Sequence, residues 1–223
     1  VECDTGRRRA GVETAAEAVD LARRIAASPH LRFAGLMFYP VEGDWAAARA
    51  FLAAALPALR AEGLSPRMIS TGGTPNLAHL GELPGATEHR AGTSIFNDRA
   101  TVAKGAARAE DCALTVYATV VSRAGEGRGI LDAGSKTLTA DTGGGIDGFG
   151  LILEHPGARI AGFAEEHGFL DLSACNAPPA VGDVVRVVPN HVCVTVNMVD
   201  RLIGVRGDRV VEVIEVAARG RLG

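Results

Sequence analysis

A chain of 223 residues with 47% hydrophobic and 22% charged residues has an ordinary globular composition, with material for one or two cores. The net charge of -3 offers no basic surface for nucleic acid or an anionic membrane, and no apolar run approaches the roughly 18 residues of a membrane helix. The four cysteines, Cys3, Cys112, Cys175 and Cys193, form no Cys-x-x-Cys pair, so a disulfide framework is not expected and a reducing cytoplasm is.

Val1-Glu2-Cys3-Asp4 reads as a short strand, without an initiator Met or signal-peptide character, and the chain is expected to lack its natural beginning. Thr14-x-x-Glu17 is a capping box ahead of Val19, Ala22, Ile25 and Ala26, which predicts a helix over 14–28 ended by Ser28-Pro29. Leu31 to Tyr39 is an apolar run of strand length, as in a buried parallel strand. Asp44 is expected to cap a helix from Trp45 to Glu62, kinked at Pro57 and stopped by Gly63. Arg67 to Ser70 predicts a third strand running into Thr71-Gly72-Gly73-Thr74-Pro75. His89 to Ile95 predicts a fourth, with a helix from Asn97 to Arg108 behind it. The order β-α-β-α-β-loop-β-α predicts parallel α/β architecture over residues 1–108, as an open sheet or part of a barrel. Four strands are about half of what a closed TIM-like barrel needs.

The pattern changes over residues 109–223. Cys112 to Arg123, Gly129 to Ala133, Arg159 to Phe163, Val184 to Val188, Val192 to Met198, Arg201 to Val205 and Val210 to Val216 read as strands separated by Gly, Pro and Asp turns, which predicts an all-β domain. Arg206-Gly207-Asp208-Arg209 reads as a hairpin turn between two of them rather than an adhesion motif.

Three groups of residues carry chemistry. Ser70-Thr71-Gly72-Gly73-Thr74 and Gly92-Thr93-Ser94 each follow a strand. Glycines let backbone N–H groups approach an anion and hydroxyls add donors, so both loops suit phosphate, although glycines also simply make turns. Arg90 ends the strand before Gly92, and the basic loop Asp4 to Gly11 follows the first strand. His191 and Cys193, with one residue between them on the predicted strand, would share a face, and an imidazole beside a thiolate suits zinc and similar ions. Two protein ligands leave positions open for water or a substrate oxygen, as at a catalytic metal; such a pair is also common as mere packing. Glu165-Glu166-His167-Gly168 brings three ionisable groups together.

Six motifs now stand in one order: Asp4-x-Gly6-x-x-Arg9-x-Gly11, Ser70 to Thr74, Arg90 to Asp98, Leu131 to Lys136, Glu165 to Gly168 and Pro189 to Cys193. In that order the chain resembles the D-threonine aldolase and D-serine dehydratase family, relatives of alanine racemase. The resemblance covers essentially the whole chain. It implies a fold-type III pyridoxal-phosphate enzyme: a TIM-like barrel carrying the cofactor, then a β domain, as a cytoplasmic homodimer. It places Thr71, Gly72, Gly73 and Thr74 in the first phosphate loop, Gly92 and Thr93 in the second, and His191 and Cys193 at a divalent metal (zinc, manganese or magnesium). Arg90 resembles the arginine facing the cofactor ring nitrogen in alanine racemases, Tyr39 is a lining residue, and His167 is the candidate for proton handling.

The resemblance also implies the activity: lyase chemistry on a small D-β-hydroxy-amino acid, either retro-aldol cleavage to glycine and an aldehyde or dehydration. Such enzymes use a Schiff-base lysine, which the family places near the first barrel strand. Here the lysines are Lys104, in a predicted helix, and Lys136, in the β domain. The N-terminal half of the barrel, with that lysine, is therefore expected to lie outside these 223 residues. The alternative is a non-catalytic pyridoxal-phosphate- or phosphate-binding protein.

Overall fold

The computed structural model describes residues 1–83 and 85–221. It divides into two compact units, Val1–Ser94 and Ile95–Gly223.

The first unit is a four-stranded parallel sheet in the order β1 (Glu2–Cys3), β2 (Gly35–Phe38), β3 (Met68–Gly72), β4 (Glu88–Arg90). Helix α1 (Ala15–Ala27) starts at a complete Thr14/Glu17 capping box and ends at Ser28, as the sequence predicts. Helix α2 (Ala46–Ala61) runs through Pro57, and its N-cap is Trp45 rather than Asp44. The Asp44 carboxylate instead accepts from the Ala46 N–H at 3.1 Å, while the Trp45 ring is buried, so packing sets where this helix begins. Leu36, Phe38 and Ile69 meet Ala18, Ala22, Ala48, Leu52, Ala55 and Leu59 in one core, the alanines of both helices joining it. The other sheet face alternates to Met37, Ser70, Glu88 and Arg90. Because all four strands run the same way, their carboxyl ends share one edge, and the loops holding Thr5, Tyr39, Gly73 and Gly92 follow from it.

The second unit opens with α3 (Arg99–Ala103), much shorter than the helix predicted from Asn97 to Arg108. Gly105 has φ of 71°, a conformation that ends helices. A closed six-stranded antiparallel barrel follows: β5 (Val116–Ser122), β6 (Arg128–Leu131), β7 (Leu151–Ile152), β8 (Arg159–Phe163), β9 (Gly168–Asp171) and β10 (Val184–Val188), closing in the order β10-β5-β6-β9-β8-β7. Its interior is filled by Val120, Leu131, Ile152, Ile160, Leu170, Val185 and Val187. One turn of helix, α4 (Ser135–Leu138), follows β6. The hairpin of β11 (Arg201–Arg206) and β12 (Arg209–Glu215) is joined by Gly207-Asp208, the turn expected from its sequence, with Gly207 at φ of 64°.

Two predicted strands are corrected: the one expected over His89 to Ile95 ends at Arg90, where the chain turns at Gly92 into a 3-10 turn, Thr93–Ile95, and the one expected over Val192 to Met198 is absent. Val192 to Asn197 forms a short helix, α5, not a strand. Its β-branched run, Val-Cys-Val-Thr-Val, favours an extended chain. Tertiary contacts override that preference: the Val192 N–H donates to the buried Asp98 carboxylate at 3.0 Å. His191 keeps extended angles as the N-cap, and Cys193 lies in the first turn.

Candidate functional site

In the first unit the predicted phosphate-loop residues gather at the carboxyl edge of the sheet. Thr71 and Gly72 end β3, Gly73 turns with φ of 100°, and Thr74-Pro75 start a 3-10 helix, Thr74–Glu82. The backbone is held by Gly73 N–H to the Arg90 carbonyl at 2.9 Å and by Asn76 Nδ2 to the carbonyls of Pro40 and Gly72, both at 3.2 Å. The glycines are needed because the ring of Tyr39 packs on them: a Cβ on Gly73 would stand 3.2 Å from its ring, and one on Gly72 would stand 2.9 Å from the Arg90 guanidinium. Thr71 and Thr74 are buried, and neither hydroxyl has a hydrogen-bond partner. An unpaired buried hydroxyl costs about 1–3 kcal/mol, and two at one strand-end loop fit an anion that accepts from both. Thr5, after β1, carries a third such hydroxyl at the same edge.

Arg90 donates to the Phe38 carbonyl at 3.0 Å and to the Ser70 hydroxyl, which in turn donates to Glu88 at 2.5 Å. These bonds hold its guanidinium against Gly72. Tyr39, at the end of β2, lies under two more guanidinium groups, Arg7 at 4.2 Å and Arg9 at 4.8 Å from the ring centre. Arg7 is tied to Glu42 at 2.7 Å and to the Tyr39 carbonyl at 3.2 Å. Gly92 is exposed after β4, and Thr93 begins a single 3-10 turn, Thr93–Ile95.

In the second unit His191 Nδ1 meets Asp141 Oδ2 at 2.6 Å. The ring also hydrogen-bonds Cys193, which is the larger cause raising His191 to about 9 against the opposing effect of burial; the Asp141 bond adds to it. Asp141 is held below the usual carboxylate range by His191 first and by the Gly143 N–H second. Its loop is fixed by Asn190 Nδ2, which donates to the Asp141 carbonyl at 3.1 Å and the Gly148 carbonyl at 2.9 Å. With Nδ1 held by Asp141 the ring is oriented, and the imidazole and the Cys193 thiol it bonds are the candidate donors for a cation. Cys193 is exposed on the first turn of α5. Among the described residues no three His, Cys, Asp or Glu side chains converge on a metal position. The donor set is thus one nitrogen and one sulfur, which suits a divalent transition metal completed by oxygen ligands from outside the chain.

His167 stands on an exposed turn between β8 and β9. There Lys136 bridges Glu165 at 2.9 Å and Glu166 at 2.8 Å. The motif at Leu131 to Lys136 and the one at Glu165 to Gly168 form one packing unit: a Cβ on Gly134 would come within 2.4 Å of the Glu165 carbonyl and the His167 N–H. Lys104 is the C-cap of α3. Thr5, Asn76, Asp98 and Asp141 were not singled out as site residues from the sequence; Thr5 and Asp98 stand within recognised motifs, whereas Asn76 and Asp141 act through Pro40 and His191, 36 and 50 residues away.

Residues 1–100 match the family model described as "Alanine racemase, N-terminal domain", and residues 113–205 match "Putative serine dehydratase domain". The chain is 33% identical over 234 aligned residues to D-threonine aldolase of an Arthrobacter species, covering 99% of this chain and 60% of that protein. The crystal structure of D-threonine aldolase from Filomicrobium marinum superposes with a TM-score of 0.87 at 33% identity, over 100% of this chain and 63% of that one. D-threo-3-hydroxyaspartate dehydratase of Delftia sp. HT23 gives a TM-score of 0.81 at 30% identity, over 96% of this chain and 64% of that one. Variants of that dehydratase have also been solved, one with a histidine replaced by alanine and one, metal-free, with a cysteine replaced by alanine; the two positions are two apart, the spacing of His191 and Cys193. The chain therefore spans about three fifths of the length of these named enzymes.

Proposed function

The chain belongs to the D-threonine aldolase and D-serine dehydratase family of alanine racemase-related, fold-type III pyridoxal-phosphate enzymes, and from that premise we propose that it serves a lyase acting on D-β-hydroxy-amino acids by retro-aldol cleavage to glycine and an aldehyde. The observation that carries this reading is the pairing of chemistries in one chain: unpartnered threonine hydroxyls at a glycine turn, which suit a phosphate ester, and a His191–Cys193 pair backed by Asp141, which suits a divalent cation.

When bound, pyridoxal phosphate supplies an electron sink for a carbanion at Cα, and the cation supplies a Lewis acid for the β-hydroxyl. Thr71 and Thr74 would donate to the phosphate ester, with Gly72, Gly73, Gly92 and Thr93 giving backbone access, and the Tyr39 ring would line the cofactor. Arg90, held by Phe38 and Ser70, keeps a permanent positive charge at the same edge and would face the ring nitrogen. His191 and Cys193 would hold a transition metal such as zinc or manganese, the donor set not suiting the magnesium also expected, and Asp141 would fix the orientation of the imidazole. His167 is the proposed acceptor of the hydroxyl proton. No lysine of the first unit is available as an imine-forming residue, and the reading assigns that role to neither Lys104 nor Lys136. The four-stranded sheet is read as part of a TIM-like barrel in a cytoplasmic homodimer.

Dehydration is the second reading, favoured by the serine dehydratase match over residues 113–205. Product analysis separates the two. With D-threonine, pyridoxal phosphate and Mn²⁺ added to the complete enzyme that supplies the imine-forming lysine, the aldolase reading expects glycine and acetaldehyde, whereas a 2-oxo acid with ammonia identifies a dehydratase. Tight binding of pyridoxal phosphate without either product identifies a binding protein instead.

A further inference from the structure

The His191–Cys193 pair depends on where α5 begins, and that point is set from outside the helix. His191 gives α5 no side-chain cap of its own. The Val192 N–H, between the two ligands, donates to Asp98 Oδ2 at 3.0 Å across 94 residues of sequence. Asp98 is only 1% exposed. Its other oxygen accepts from the Thr101 N–H at 2.8 Å and hydroxyl at 2.6 Å, the cap of α3. Two backbone bonds extend the splint: Arg99 N–H to the Pro189 carbonyl and Ala100 N–H to the Asn190 carbonyl, both 3.1 Å. The Arg99 guanidinium adds a bond to Asn190 Oδ1 at 3.2 Å.

Each residue advances a helix by about 100°. Starting α5 one residue earlier or later would therefore swing the Cys193 thiol by roughly that angle relative to His191. Left to its own preference, the valine-rich segment would extend and project the two side chains on one face. The separation of the two ligands is thus a property of the capped turn and not of the two residues alone.

We propose that Asp98 is a positioning residue of the cation site: through the Val192 N–H it fixes the first turn of α5, and with it the distance and aim of His191 and Cys193. This rests on the reading that the pair holds a cation. Asp98 touches neither the cation nor substrate, so its effect is on geometry and affinity.

The test is titration with Co²⁺ alone, read by the thiolate-to-cobalt absorption and the visible d–d bands. Three proteins are compared: wild type, Asp98→Ser and Thr101→Ala. Serine still caps α3 but is too short to reach Val192. Thr101→Ala weakens the α3 capping box and leaves the Asp98–Val192 bond intact. The expected result is roughly 10- to 100-fold weaker Co²⁺ binding with altered d–d bands in Asp98→Ser, at unchanged far-UV circular dichroism, and wild-type behaviour in Thr101→Ala. Asp98→Asn is read alongside, because its amide oxygen can accept from Val192 or from Thr101 but not both, and weakened binding is expected there as well. Wild-type affinity and spectrum in Asp98→Ser and Asp98→Asn would overturn the proposal, as would equal losses in Thr101→Ala and Asp98→Ser. A wild-type protein without a thiolate-to-cobalt band would instead overturn the cation reading on which it rests.

Discussion

Asp141 Oδ2 lies 2.6 Å from His191 Nδ1, a carboxylate–imidazole contact closed across 50 residues of sequence. It holds the ring in one orientation. Asp141→Ala is expected to weaken Co²⁺ binding roughly 10- to 100-fold without removing a ligand. His191→Ala and Cys193→Ala should each abolish it while pyridoxal phosphate still binds. Isothermal titration decides: wild-type affinity in Asp141→Ala would mean that another group orients the ring.

Thr71 separates binding from stability. Its side chain is fully buried and its hydroxyl unpaired. Thr71→Val keeps the shape and removes a polar group whose burial costs about 1–3 kcal/mol. The cofactor-free variant should melt at or above the wild-type temperature, yet bind pyridoxal phosphate more weakly. A destabilised variant with wild-type affinity would show that the hydroxyl serves the fold instead.

Gly73 and Gly72 should differ on substitution. Alanine at Gly73 meets both a φ of 100° and the Tyr39 ring at 3.2 Å. Alanine at Gly72 needs no positive φ and meets the end of the Arg90 side chain at 2.9 Å, which can give only by loosening its bonds to Phe38 and Ser70. Gly73→Ala is expected to lower stability by more than about 1 kcal/mol and to lose phosphate-ester binding, with Gly72→Ala the milder of the two. Urea unfolding of both variants checks the order, and the reverse order would contradict the assigned geometry.

Burial raises the Cys3 thiol from 9.0 to about 12. The folded chain therefore keeps a proton that the unfolded chain releases above pH 9. The contribution of Cys3 to stability is intact below pH 9 and fades as pH climbs toward 12. Cys3→Ala should flatten the alkaline fall in melting temperature between pH 9 and about pH 11. At pH 8 iodoacetamide should label the exposed Cys193 and spare Cys3. Equal labelling of the two would contradict the burial.

The parallel sheet of the first unit was legible in the sequence because its signals are local: the Thr14/Glu17 capping box, the apolar run ending at Tyr39 and the glycine turn after Thr71. The second unit was read as β-rich from turn spacing, but β7 escaped because it is only 2 residues long, and β9 because it begins at Gly168, inside the charged Glu165 to Gly168 motif. The misreading of α5 has a specific cause. Nothing near Val192 announces a helix, and the group that caps it, Asp98, comes from the far end of the unit. His191 and Cys193 stood out by residue type, whereas Asp141, Asp98 and Asn76 act through contacts that only the fold creates.

The most direct test of the account is glycine release from D-threonine with pyridoxal phosphate and Mn²⁺, before and after chelation, in the complete enzyme that supplies the imine-forming lysine, as wild type and as Cys193→Ala. The account predicts glycine from the wild type, its loss on chelation and its return with Mn²⁺, and none from Cys193→Ala, although pyridoxal phosphate stays bound. Glycine release that survives both chelation and the loss of Cys193 would contradict it.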